Sequence, residues 1–175
     1  QMVSFKEFNI NLKALNHGNT VFHYAITDEF FHFVEALDII GGDLQAEVVV
    51  NKTETYFEIN FHIEGNVSIA CDKCLDEMQQ TIRTEQRLIV RFGHEYSEED
   101  DLIIVPEDDE SFDISWFLYE FIQLNIPIKH VHAPGKCNPA MIKMLEEHSV
   151  TRSDGREEEQ IVDPRWSKLT ELKNK

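Results

Sequence analysis

Residues 57–63 read Phe-Glu-Ile-Asn-Phe-His-Ile, and this strict alternation constrains the fold more than any other feature of the chain. Successive side chains of a strand point to opposite faces of a sheet. Phe57, Ile59, Phe61 and Ile63 therefore share one side, and Glu58, Asn60, His62 and Glu64 share the other. This is a half-buried strand. Ala46 to Val50 precede it and pair with it through a turn near Lys52-Thr53. Gly65-Asn66 reads as a second turn, leading into Val67, Ile69 and Cys71 on one face. Beyond Cys71-Asp72-Lys73-Cys74, the residues Ile82, Leu88, Val90 and Phe92 resume the alternation, with Thr84 and Gln86 interrupting the apolar side. The C-x-x-C is thus expected at the tip joining two antiparallel strands.

The remaining elements are weaker. Val3, Phe5, Phe8, Ile10 and Leu12 suggest an opening strand with a phase slip, and His17-Gly18-Asn19 a turn into a strand over Val21 to Ile26. Asp28 is placed to cap a short helix carrying Phe30, Phe31, Phe33, Val34 and Leu37, which Gly41-Gly42 would end. Leu102 to Val105 reads as a short strand. Asp113 caps the strongest helix, where Ile114, Phe117, Leu118, Phe121 and Ile122 recur at helical spacing until Asn125 and Pro127 stop it. Trp116 and Leu124 lie off that apolar face and mark a second buried side or an interface. Pro139 to His148 reads as a short helix, and Asp163-Pro164 as the start of another. Together these predict an α+β fold: a mostly antiparallel, curved or barrel-like β-sheet packed by one main helix, with short accessory helices. Residues 1–148 are expected to form a single domain, and 149–175 a flexible linker and short C-terminal helix.

Charge narrows the partners. The 175 residues carry 33 Asp and Glu against 16 Lys and Arg, a formal net charge of -17. Nucleic acid and anionic membranes repel such a chain at long range, so RNA contact requires a local basic patch. No stretch approaches the roughly 20 apolar residues that span a bilayer, and the first fifteen lack the pattern of a signal peptide. A cytoplasmic protein without a membrane partner is expected. The chain has no Gly-rich phosphate loop, no G-x-S-x-G and no H-E-x-x-H. Glu58, His62 and Glu64 share a strand face, but alternating polar residues on one face are ordinarily just solvated. The expectation is a protein that is not an enzyme.

Three cysteines cannot all pair within one chain, which argues against a secreted disulfide scaffold. Cys71, Cys74, His132 and Cys137 spell C-x2-C…H-x4-C. Zinc favours four thiolate and imidazole ligands, and a two-residue gap at a turn lets both sulfurs reach one ion. If the Pro127–Cys137 loop folds over the hairpin tip, a closed Cys3His site results, structural rather than catalytic. His130 is an alternative ligand. The competing readings are three reduced cysteines without metal, and a redox pair. The second is disfavoured because a thioredoxin-type C-x-x-C opens a helix.

These residues also carry a family resemblance. Cys71-Asp72-Lys73-Cys74-Leu75 after a β-run, Ile126-Pro127-Ile128 ending a helix, then Val131-His132 and Cys137, resemble the YceD family, the large ribosomal RNA subunit accumulation proteins. Asp163-Pro164-Arg165-Trp166, Leu169 and Leu172-Lys173 are similar to its closing motif, so the likeness covers roughly residues 44–175. The family usually places Arg near position 73; Lys73 keeps the charge but loses the planar fork for phosphate. The resemblance implies a non-enzymatic factor supporting accumulation of large-subunit ribosomal RNA, with that RNA or a pre-ribosomal particle as partner. The metal reading comes from this sequence and not from the family.

Three surfaces offer contacts to such partners. Arg83, Arg87 and Arg91 fall on one strand face and, with Lys73, form a candidate basic stripe for RNA phosphates. Glu85 interrupts that face, and an ordinary solvated strand face is the plain alternative. Nine acids and no Lys or Arg lie between Glu95 and Glu110, read as a solvated loop, a contact for a basic ribosomal protein, or a divalent-cation site that lacks the EF-hand spacing. Trp166, Leu169 and Leu172 share one side of the tail helix and are candidates for docking on a partner or on the domain itself.

Overall fold

The structure is a computed structural model and describes residues 7–99, 101–109 and 111–148. The chain divides into two units, Gln1–Ile142 and Lys143–Lys175. Every strand and the first two helices belong to the first. Val3, Phe5 and the segment from residue 149 onward, with its predicted linker and tail helix, lie outside the described residues.

Two long hairpins dominate. Strand β2 (Gly18–Ile26) pairs with β3 (Ile39–Lys52), β3 with β4 (Phe57–Ala70), and β4 with β5 (Glu77–Gly93), all antiparallel. Beyond β5 the order continues through β7 (Leu102–Pro106) to β6 (Ser97–Glu99). The β5–β7 pair is parallel, so the six-stranded sheet is mixed, although its other pairings are antiparallel. The order β2-β3-β4-β5-β7-β6 leaves β2 and β6 as edges, so among the described residues the sheet is open rather than closed into a barrel. A separate two-residue ladder joins β1 (Asn9–Ile10) to β8 (Phe112–Asp113).

The alternation expected for residues 57–63 holds: Phe57, Ile59, Phe61 and Ile63 are buried, and the residues between them are partly or fully exposed. Helix α2 (Ser115–Leu124) covers that apolar face, with Phe121 edge-on to Phe61 at 5.2 Å between ring centres. Ile114, Phe117, Leu118, Phe121 and Ile122 are all buried. Asp113 Oδ1 accepts from the Ser115 N–H at 2.8 Å, satisfying one of the free amides of the first turn. Trp116 and Leu124 are exposed, which removes the reading of a second buried side. Helix α1 (Asp28–Phe33) buries Phe30 and Phe31, and Phe8 packs on Phe30 and Tyr24.

Two turn assignments fail for one reason. Gly65-Asn66 is not a turn, because β4 runs through it without interruption. Gly65 has φ +149°, and a Cβ there would lie 2.3 Å from the Asp43 carbonyl oxygen. Glycine is needed for close approach of neighbouring strands, not for chain reversal. Gly41-Gly42 does not end a helix either. Helix α1 stops at Phe33, and both glycines lie in β3. Asp28 does not cap its own helix; its Oδ1 accepts from the Gly42 N–H at 2.8 Å, and a Cβ on Gly41 would collide with that carboxylate.

Candidate metal centre

The β4–β5 hairpin ends in a tight knuckle. The Cys71 N–H donates to the Asp76 carbonyl at 2.9 Å, and the Leu75 N–H donates to the Cys71 carbonyl at 2.9 Å. Leu75 takes a left-handed conformation, φ +62°, to close it. That geometry is uncommon for a branched residue and persists where surrounding contacts fix it. The Lys73 N–H points at the Cys71 sulfur, 3.4 Å away. Cys71 and Cys74 are buried, with their sulfurs on the same side of the turn as the loop that follows α2.

That loop, residues 126–138, is fastened to the knuckle by polar contacts. The Asp72 N–H donates to the His130 carbonyl at 2.9 Å, and Asp72 Oδ2 accepts from the His130 N–H at 2.8 Å. Asp72 Oδ1 lies 3.3 Å from His130 Nε2. Asn138 Nδ2 donates to Asp76 Oδ2 at 3.1 Å, while Asn138 Oδ1 caps helix α3 (Pro139–His148) through the Ala140 N–H. His130 is therefore engaged by Asp72 and the Pro127 carbonyl. His132 is the imidazole delivered to the sulfurs. The pairing of Asp72, Asp76, His130 and Asn138 depends on contacts across some sixty residues of chain, so local spacing does not mark them as fastening residues.

Cys71, Cys74, His132 and Cys137 place one ligand atom each within 4.8 Å of all the others. The Cys71 and Cys137 sulfurs are 3.9 Å apart, and Cys74 Sγ is 3.3 Å from His132 Nδ1. Zinc bonds of about 2.3 Å to sulfur and about 2.0 Å to nitrogen, at tetrahedral angles, require edges near 3.8 Å for S···S and near 3.6 Å for S···N. The Cys71–Cys137 and Cys74–His132 edges lie within about 0.3 Å of these spacings. The other ring nitrogen of His132 lies 3.2 Å from the Glu77 carbonyl. A carbonyl only accepts, so Nε2 carries a hydrogen, which leaves Nδ1 as the nitrogen that faces the sulfurs and is available to a metal.

The thiols are electrostatically unequal. Burial of Cys71 opposes ionisation, but backbone N–H groups of Cys74, His132 and Lys73 bring its pKa down to about 6. Burial and the neighbouring thiols push Cys137 up to about 11. Sulfur contact from Cys71 raises the pKa of His132. A negative charge is thus stabilised first at Cys71, and a dication in the cluster would supply what Cys137 needs to ionise.

Elsewhere the candidate residues spread out. Lys73 is exposed on the knuckle, and Arg83, Arg87 and Arg91 are exposed along β5. Arg83 stands opposite Glu64 in the ladder, Arg87 lies 3.9 Å from Glu58, and Glu85 projects between them. The stripe is interleaved with acids. His62 sits between Glu85 and Glu64, 3.3 and 3.7 Å away. Beside it is a groove of about 550 Å³ lined by Glu47, Asn60, His62, Glu85, Arg87 and Asp101 among others. The acidic run is not wholly loop, since it contributes β6 as well as the expected β7. Trp166, Leu169 and Leu172 lie outside the described residues. No described helix is long and apolar enough to cross a membrane.

No curated protein and no solved structure matches the chain. A family model does, the one described as Large ribosomal RNA subunit accumulation protein YceD, over residues 59–173. The match begins within β4 and takes in the knuckle, α2 and the loop that carries His132 and Cys137. Covering well over half of the 175 residues, it assigns this chain to the YceD family.

Proposed function

We propose that this protein is a cytoplasmic, non-enzymatic ribosome-biogenesis factor that supports accumulation or processing of large-subunit (23S) ribosomal RNA by binding that RNA or a pre-ribosomal particle. Family membership carries the reading. In it, Cys71, Cys74, His132 and Cys137 hold a structural Zn2+ that fastens the 126–138 loop to the knuckle; four protein ligands leave no open position for chemistry. Lys73, Arg83, Arg87 and Arg91 provide the local cations for phosphate, and Trp166, Leu169 and Leu172 a docking face for the particle. Residues 1–148 form the working body and 149–175 a linker with a short helix. Crosslinking in cells followed by RNA sequencing tests the function. Large-subunit RNA should be enriched over a charge-matched control protein, and equal recovery would sink the proposal. Elemental analysis of protein purified without added zinc tests the metal, with about one equivalent expected for a closed site.

A second reading has its own support in the charge of -17 and in the groove bearing Glu47, Glu85 and Asp101. Here the protein is an acidic adaptor or chaperone for a basic ribosomal protein. A pull-down would then recover a stoichiometric basic protein that survives nuclease and weakens with salt, as screening of charge contacts requires.

A further inference from the structure

Two neighbouring sulfurs of the cluster belong to different elements and differ in exposure. Cys71, in the knuckle, is fully buried, whereas Cys137, in the loop, is partly exposed. Their 3.9 Å separation needs about 2 Å of closure to reach a disulfide bond length. Cys137 lies in a segment without helix or strand, which can absorb that movement, and Cys74 is buried with His132 at its sulfur. A solvent-borne oxidant therefore meets Cys137 first, and the sulfur placed to resolve the product is that of Cys71.

We propose that the metal centre is a two-state fastener: zinc holds the loop in the reduced protein, and a Cys71–Cys137 disulfide holds it, metal-free, after oxidation by a hydroperoxide. This rests on the zinc reading above and adds its regulation. The Cys137 thiolate attacks the peroxide, forming an S–O bond as the O–O bond breaks and hydroxide leaves. The Cys71 thiolate then attacks the Cys137 sulfur, forming the S–S bond and expelling a second hydroxide. The two sulfurs together give up two electrons, hydrogen peroxide takes them, and two protons convert the hydroxides to water. Zinc stays Zn2+ throughout. Only Cys74 and His132 remain as ligands, too few for a tetrahedral site, so the ion leaves. The loop does not, because the new covalent bond joins the same two elements.

Trypsin makes the pairing legible, because Lys73 separates the two knuckle cysteines. Cys71 falls in fragment 53–73, Cys74 in 74–83 and Cys137 in 137–143. The full chain, reduced and zinc-loaded, is treated with hydrogen peroxide while zinc release is followed with a chromophoric chelator. The expected result is release of the bound zinc together with a 53–73/137–143 cross-linked peptide, both reversed by dithiothreitol plus zinc. Limited proteolysis should then cut within residues 126–138 in the reduced, chelated protein but not in the oxidised one. In Cys137→Ser that protection should be lost, and in Cys74→Ser the cross-link should still form. Retained zinc, a 53–73/74–83 cross-link, or oxidation stopping at sulfinic acid would overturn the switch and leave the structural-zinc reading standing. Protein that contains no zinc when purified reduced would overturn both.

Discussion

The body of the sheet and its thiolate end are held by different physics. Along β4 the residues Phe57, Ile59, Phe61, Ile63, Val67 and Ile69 are all buried, and their stabilisation scales with apolar area removed from water. At the knuckle only Cys71 and Cys74 are buried, and what joins it to the 126–138 loop is a handful of hydrogen bonds beside a cluster of four candidate ligand atoms. A core built from area is redundant and tolerates the loss of one contact. A junction built from a few directional contacts does not, and that is where a metal has most leverage.

On the proposed structural zinc, stripping the metal should therefore separate the two regions. Structural zinc in small domains binds with an apparent free energy on the order of 10 kcal/mol. Here that energy should govern the loop and not the existence of the sheet. Chelation is expected to lower the urea midpoint through linkage, since the ion binds only the native state. The stripped chain should still show β-type circular dichroism and a cooperative transition, while amide exchange across residues 126–138 rises steeply. Collapse of the whole spectrum on chelation would break the comparison. The reciprocal experiment is Phe61→Ala. Removing a ring that meets Phe121 in the core should cost about 3–5 kcal/mol in urea denaturation. Zinc content should not change, because distant sites add nearly independently.

The same contrast governs how much could be read from the sequence. Burial leaves a periodic trace, so β4, β5 and α2 were legible from alternation and helical spacing. The even count from Ile63 to Val67 keeps Val67, Ile69 and Cys71 in phase with the preceding apolar residues, so β4 can pass straight through Gly65. Reading Gly65-Asn66 as a turn relied on residue type, and residue type cannot distinguish a reversal from a close approach. The same limit applies to Gly41, whose reason is a carboxylate thirteen residues away. The four clustered residues were legible as candidate ligands because residue type and the short C-x2-C and H-x4-C gaps are local, whereas the meeting of the two pairs depended on the loop folding back. Asp72, Asp76, His130 and Asn138 were not, since nothing near them in sequence shows what they meet. Strand β6 was hidden because two of its three residues are Glu and it is a strand only by pairing with β7.

Asp72→Ala probes the junction without touching a candidate ligand. The carboxylate accepts from the His130 N–H and lies 3.3 Å from its ring. Hydrogen bonds to a charged group contribute roughly 1.5–3 kcal/mol. Local opening of the loop should become at least about tenfold easier, read as faster exchange of the His130 amide. The global urea midpoint should move far less than for Phe61→Ala. Equal shifts in both measurements would mean that junction and sheet unfold as one unit.

The smallest expected effect tests the sheet at its β2 edge through pH. Burial, with a contribution from Glu7, pushes the Tyr24 phenol from 10.0 up to about 12. The folded protein thus keeps the proton where the unfolded chain has already lost it. The resulting stability is complete below pH 10 and disappears as pH rises from 10 towards 12. At pH 11 the loss is about 1.4 kcal/mol, one pKa unit of differential ionisation. Tyr24→Phe preserves the ring stacked on Phe8 at 5.4 Å and removes only the titrating hydroxyl. The urea midpoint of the wild type should therefore fall further between pH 8 and pH 11 than that of the variant. Glu7→Gln should leave the onset at pH 10 and make the loss slightly smaller, because removing a nearby negative charge brings the folded phenol back towards its unfolded value. Identical alkaline losses in wild type and Tyr24→Phe would assign the pH dependence to other groups and leave Tyr24 as packing alone.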